Sequence, residues 1–136
     1  KILRRFKFSN EIVDRTVDAV RHHMHFIDVQ KMRTSKLKRL MAKPVYDDLL
    51  ELHRVDCLGS NGRLENHEFM LAKAHEFANE PLIPAPLVSG RDLIALGWQA
   101  GPDLGDVLEQ IQNEQLEGSV TTKEEAIAWA QANCAA

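Results

Sequence analysis

The sequence predicts an all-α chain, and three observations carry that prediction. Apolar residues recur at steps of three and four, as in Val13, Val17, Val20 and Met24, which places them on one face of a helix. No stretch alternates apolar and polar residues for long enough to make a strand. Serine, threonine, proline and glycine stand where the patterned runs begin and end.

Each element follows from local chemistry. Ser9 is the expected N-cap of the first long helix, with Phe8 and Val13 placed for a hydrophobic staple across it. A short basic helix is predicted from Thr34 to about Ala42. Pro44 suits the first turn of the next helix, where a missing N–H costs nothing. That helix carries the stripe Val45, Leu49 and Leu52. Gly59-Ser60-Asn61-Gly62 is a break. A helix from about Arg63 to Asn79 follows, with Phe69, Met70, Ala74 and Phe77 at core spacing.

Pro81, Pro84 and Pro86 forbid a continuous helix and mark the boundary between a helical body, residues 1–80, and a tail, residues 81–136. The tail reads as a bundle of three short helices. Ser89 caps the first and Gly97 ends it. Pro102 opens the second, whose stripe is Leu104, Val107, Leu108 and Ile111, and Gly118 ends it. The third opens with a capping box, made by either Thr121 with Glu124 or Thr122 with Glu125. Ala126, Ile127 and Ala130 then face inward.

Composition narrows the function classes. A chain of 136 residues suits one compact domain or two small ones. No apolar run approaches the roughly 20 residues of a membrane span. The basic start, KILRRFKFSN, lacks the apolar core of a signal peptide, so a cytoplasmic setting without membrane contact is expected. Cys57 and Cys134 lie far apart with no CxxC partner, which suits free thiols in a reducing compartment. No Ser-His-Asp, Cys-His, HExxH or P-loop arrangement is present.

Charge is unevenly spread. Up to Arg54 there are 13 Lys and Arg against 7 Asp and Glu; beyond it there are 4 against 13, and the two parts together give the net charge of −3. The basic half points to an anionic partner. Lys31, Arg33, Lys36, Lys38, Arg39 and Lys43 crowd the short basic helix and its flanks. Such side chains neutralise phosphates whatever the base sequence. Phe26 and Tyr46 are near but not interleaved with them, so phosphate and shape contacts are expected rather than base stacking. A solvated helix face is the alternative. In the acidic tail, contact would run through Arg91, Lys123 and the backbone amides near Gly90 and Gly101. Gly101 and Gly105 admit a phosphate or another backbone, and packing against a neighbouring helix would account for Gly105 equally well.

Two further sets bear on metal chemistry. Asp56 falls four residues after Leu52, in phase with the apolar stripe, so it is expected to point inward and find a partner. His22, His23 and His25 are close in sequence, but neighbours on a helix point about 100° apart. His23, three after Val20, lies nearest the apolar stripe. His23 and Asp56 are therefore the candidate metal ligands, with a satisfied histidine and a capping carboxylate as alternatives. His53, His67 and His75 lack convergent spacing and read as surface residues.

A resemblance ties these pieces together. Gly90-Arg91-Asp92-Leu93, Leu96-Gly97, Gly101-Pro102-Asp103-Leu104-Gly105, Gln115-Leu116-Glu117-Gly118 and Thr122-Lys123-Glu124-Glu125-Ala126 occur in order. Together they resemble the tail of bacterial tRNA nucleotidyltransferases, the class that includes bacterial poly(A) polymerases. Upstream, KFSNE, VRHHM, LLELHRVDCLGSNG and ENHEF resemble the second half of that family's HD-type helical domain and its linker helix. The resemblance implies the C-terminal region of a longer enzyme that adds C, C and A, or A alone, to RNA 3′ ends. It implies a body and tail that grip tRNA or other RNA, with no role for DNA or membrane; oligomeric state stays open. The family's catalytic head, which would use magnesium with CTP and ATP, has no counterpart in these residues, so no cofactor is expected within them. Asp56 matches the late metal-binding aspartate of the HD motif, whose other ligands would lie before Lys1. Two rival readings follow: a remnant of an HD-type metal-dependent phosphohydrolase, and a structural or oligomerisation module.

Overall fold

The computed structural model describes residues 1–134 and is all-helical, with no strand among them. Ala135 and Ala136, the end of the expected tail, lie outside the described residues. The chain forms two compact units, residues 1–32 with 39–82, and residues 33–38 with those from Ile83 onward.

In the first unit, a single turn, α1 (Ile2–Arg5), precedes α2 (Asn10–His22). Ser9 caps α2 as its sequence predicts, its Oγ accepting from the Ile12 N–H at 3.3 Å. The expected stripe along α2 is only partly buried. Val13 and Ala19 are inside, while Val17, Val20 and Met24 are about half exposed. Within α2 the buried side has shifted from Val17 and Val20 to Ala19, and a change of register beyond it takes Met24 off the face. The α-helix stops at His22 and continues as a 3-10 stretch, His23–Lys31, whose buried side chains are Phe26 and Val29. A 3-10 run of this length is uncommon, because its hydrogen bonds are poorly aligned. Asn66, on α5 (Glu65–Glu76), supports it from outside. Its Nδ2 donates to the carbonyls of Phe26 at 2.8 Å and Ile27 at 3.2 Å, and its Oδ1 accepts from Gln30 at 2.8 Å.

Helix α4 (Tyr46–Gly59) begins two residues after Pro44, which lies in the preceding turn rather than in the helix. Its buried line is Val45, Leu49 and His53, each four residues on from the last. Leu52 sits about 100° to the side of His53 and reaches 36% exposure. Asp56 follows Leu52's side and is exposed, so the expected inward carboxylate is corrected to a surface one. His53 is corrected the other way. It is buried, with its ring stacked on Phe26 at 5.0 Å between centroids. Helix α5 is shorter at both ends than predicted and fully buries Met70, while Phe69, Ala74 and Phe77 are half-buried. Burying side chains of this size contributes about 1.5–3 kcal/mol each.

The second unit follows the predicted punctuation closely. Ser89 and Asp92 form a capping box at α6 (Gly90–Ala95). Pro102 opens α7 (Pro102–Glu117), and Gly118 closes it at φ +83°, a left-handed conformation that glycine adopts without strain. The open choice at α8 (Lys123–Asn133) resolves to Thr122 with Glu125, and Thr121 also donates to Glu125. The core joins Val88, Leu93, Trp98, Leu104, Val107, Ile111, Val120, Ala126 and Ala130. Ile127 is partly buried against that core.

Candidate nucleic-acid interface

The basic set lies on the end of the 3-10 stretch, on α3 (Thr34–Met41) and just beyond it. Helix α3 is amphipathic: Leu37, Leu40 and Met41 are buried, so the cations take the remaining faces. Lys31, Arg33 and Lys36 are exposed, and Lys38, Arg39 and Lys43 are half-buried. Lys36 and Arg39, three apart, share one side of the helix. Lys31, Lys36 and Lys43 form no salt bridge among the described residues, which leaves their charge available to an anion.

Arg33 is different. Its guanidinium pairs with Glu114 at 3.2 Å and Glu117 at 3.5 Å, both on α7. Glu117 also accepts the backbone N–H of Ser35 at 2.8 Å, at the first turn of α3. Burial raises the Glu117 carboxyl, but the donors of Ser35, the charge of Arg33 and the Thr34 N–H outweigh it and hold the group below its usual range. A carboxylate at a helix start is favourably placed against the unpaired N–H groups and the helix dipole. The acidic half of the sequence thus neutralises one member of the basic set, through contacts more than eighty residues apart in the chain.

In the tail, Arg91 is exposed in the first turn of α6 and has no salt bridge among the described residues. Lys123 is engaged, because its Nζ donates to Asp92 at 2.6 Å. That ammonium, together with the Ser89 hydroxyl and N–H, holds the Asp92 carboxyl far below the usual carboxylate range. A Cβ at Gly105 would meet no atom within 4 Å, so close helix packing does not account for that glycine. The aromatic rings do not offer a platform: Phe26 is fully buried, with Tyr46 stacked on it at 6.4 Å.

The candidate metal ligands share one cavity of about 300 Å³, lined by His23, His53, Asp56, Cys57, Arg63 and Asn66 among others. His23 donates from Nδ1 to the Val20 carbonyl at 2.6 Å, which leaves Nε2 as its free lone pair. His22 is occupied separately, with Nε2 at 3.0 Å from Asp18 and its ring 4.8 Å from that of His25. His53 Nε2 lies 3.6 Å from the Cys57 sulfur. Burial, then the neighbouring His67, lowers the His53 pKa, and Asp56 opposes them. No three His, Cys, Asp or Glu side chains converge on one metal position among the described residues.

Comparison with known proteins gives these features a context. A family model described as tRNA nucleotidyltransferase domain 2 matches residues 83–130. The chain is 35% identical over 126 residues to the CC-adding tRNA nucleotidyltransferase of Thermus thermophilus, covering 90% of this chain and 28% of that protein. It is 32% identical over 142 aligned residues to the A-adding tRNA nucleotidyltransferase of Deinococcus radiodurans, covering 96% of this chain and 32% of that protein. The chain therefore spans about a third of the length of the curated relatives it matches. No solved structure matches it. Among the described residues, no helix is long and apolar enough to cross a membrane.

Proposed function

We propose, starting from a chain that belongs by its sequence to the tRNA nucleotidyltransferase family, that these residues bind RNA and position its 3′ end for nucleotide addition. The observation that carries this reading is the match of nine tenths of the chain to a relative named for adding CC to tRNA. Exposed Lys31 and Lys36, half-buried Lys43 and exposed Arg91 are charged groups suited to phosphates. Arg33 contributes less, since two carboxylates already hold it. Lys38 and Arg39 complete the phosphate-facing set on this reading. Magnesium, CTP and ATP belong to a head outside these residues, and the setting is the cytoplasm.

Binding of tRNA to the 136-residue chain, titrated over a range of salt, tests the reading. Affinity should fall steeply with salt. With four phosphates contacted, the log–log slope should be about −3 to −4. Substituting Lys36, Lys38 and Arg39 together by Ala should flatten that slope. An unchanged affinity and slope would reduce the basic helix to a solvated face. The chain incubated alone with 3′-truncated tRNA, CTP, ATP and magnesium should incorporate no nucleotide.

The phosphohydrolase reading rests on one observation, the shared cavity of His23 and Asp56. It requires ligands from polypeptide outside these residues, and zinc or manganese added to the chain should leave a phosphodiester substrate intact.

A further inference from the structure

Among the described residues, the Tyr46 hydroxyl is buried and has no hydrogen-bond partner. Buried polar groups are paired in all but a few cases, so an orphan calls for an explanation. The ring itself is fixed by stacking on Phe26 at 6.4 Å between centroids. Tyr46 lines a cavity of about 290 Å³ within the first unit. Met41 at the end of α3, Ala74 and Phe77 at the end of α5, and Leu82 give it apolar walls, and the exposed Glu80 stands at its rim. Walls of this kind give a single water too few partners to hold it. Burial, then the charge of Asp47, raises the Tyr46 pKa, so the phenol keeps its proton and offers both a donor and an acceptor. An apolar pocket with a few placed polar groups is the usual form of a small-ligand site. A cavity of this size takes one ring system and leaves anything larger outside.

We propose that this pocket takes one unpaired nucleobase, with the attached phosphate held outside it by Lys43. Where the nucleotide belongs to a polymer, the proposal rests on the RNA-binding reading above. Charge identifies the ligand. Lys43 stands in the turn between Met41 and Tyr46, whose N–H donates to the Lys43 carbonyl at 3.0 Å. A cation with no salt bridge among the described residues therefore borders an apolar pocket that holds an orphan hydroxyl. A flat heterocycle carrying a phosphate satisfies both. The base packs against the half-buried Phe77, a contact that any base makes through its π-face. The Tyr46 hydroxyl meets a ring nitrogen or carbonyl at the base edge. Glu80 accepts from an exocyclic amine, which adenine, cytosine and guanine carry and uracil lacks. A paired base has that edge occupied already, whereas a splayed base presents it. A free mononucleotide and a single-stranded stretch of RNA share this chemistry.

Tyr46 is the single tyrosine of the chain, so carbon-13 labelling at tyrosine Cζ gives one NMR resonance that reports the pocket. Titrating the 136-residue chain with AMP should shift that resonance to saturation. UMP should bind about threefold more weakly, for want of the amine that Glu80 accepts. Ribose 5-phosphate, which has no base, should leave the resonance in place. Tyr46→Phe, followed through the labelled methyl of Met41, should weaken AMP binding by about fivefold to tenfold. Its melting temperature should equal or exceed that of the parent, because the lost hydroxyl had no partner. Ala78→Phe, at an exposed position lining the pocket, should fill it and abolish the AMP shift. Single-stranded oligoadenylate and a fully paired RNA duplex of equal length then separate the sources. A shift with the single strand alone places the base in a polymer; a shift with AMP and with neither RNA assigns the pocket to a free nucleotide. A chain that responds to AMP but binds no RNA at any salt keeps the pocket and loses the RNA-binding reading. A chain that binds tRNA while neither tRNA, oligoadenylate nor AMP moves Tyr46 overturns the pocket alone. Equal shifts from indole or ribose 5-phosphate would also overturn it, as would a Tyr46→Phe variant that melts well below the parent.

Discussion

Lys123 reaches back thirty-one residues to donate to Asp92 at 2.6 Å, tying the first turn of α8 to the first turn of α6. The same carboxylate closes the capping box with Ser89. Asp92 therefore serves a local and a long-range contact at once, and the pH dependence of the second unit should report it. Its carboxyl is held below the usual range in the fold, as are those of Glu117 and Glu125. For a depressed carboxyl, stability is present above the unfolded pKa and is lost as pH falls through the folded one. The melting temperature of the second unit should be flat above about pH 5.5 and fall as pH drops through 4 and below. Asp92→Asn should lower the plateau and make the acid slope shallower. Circular dichroism melts across pH check both, and an unchanged slope would remove Asp92 from the account.

Thr122→Ala removes the hydroxyl that accepts from the Glu125 N–H at 3.2 Å. Loss of such a cap costs about 0.5–2 kcal/mol. Thr121→Ala should cost less, because its backbone N–H still donates to Glu125. Urea unfolding of the two variants decides the order, and a larger loss at Thr121 would contradict the assigned cap.

His53→Ala should destabilise the first unit by about 0.5–3 kcal/mol, and Asp56→Asn should be close to neutral. The first deletes a buried ring stacked on Phe26; the second alters an exposed carboxylate. Burial lowers the His53 pKa below its ordinary 6.5, so the fold favours the neutral ring. Stability of the first unit should therefore begin to fall as pH drops below about 6.5, and His53→Gln should abolish that step. NMR titration of the imidazole gives the direction independently.

Arg33→Ala should change the salt slope of RNA binding little, whereas Lys36→Ala should reduce its magnitude by roughly 0.7–0.9. The difference follows from Glu114 and Glu117, which already neutralise Arg33. Equal effects from the two substitutions would mean that RNA displaces those carboxylates.

These residues also separate what was legible in the sequence from what was not. Ser9, Ser89, Thr122, Pro102 and Gly118 act within one helical turn, and local chemistry places each of them. The 3-10 stretch was illegible because Asn66, forty residues downstream in the chain, supplies its support. Asp56 and His53 exchanged places because a stripe can step from Leu49 to either Leu52 or His53, and only packing chooses. Arg33 read as one more cation because its carboxylate partners lie on another helix. The exposure of Val17, Val20 and Met24 was equally hidden, since the periodicity of Val13, Val17, Val20 and Met24 says which face is apolar and not what meets it.

The hold of Glu117 on Ser35 also has a consequence for the order in which the protein is made. Translation proceeds from the amino end, and folding on the ribosome generally follows it. The Ser35 N–H is synthesised 82 residues before the carboxylate that accepts it. The Phe26 carbonyl waits only 40 residues for Asn66. On the growing chain, residues 33–38 are thus the last part of the early sequence to find their final partners, and a pause in translation ahead of Glu117 would expose that short stretch to proteases and chaperones.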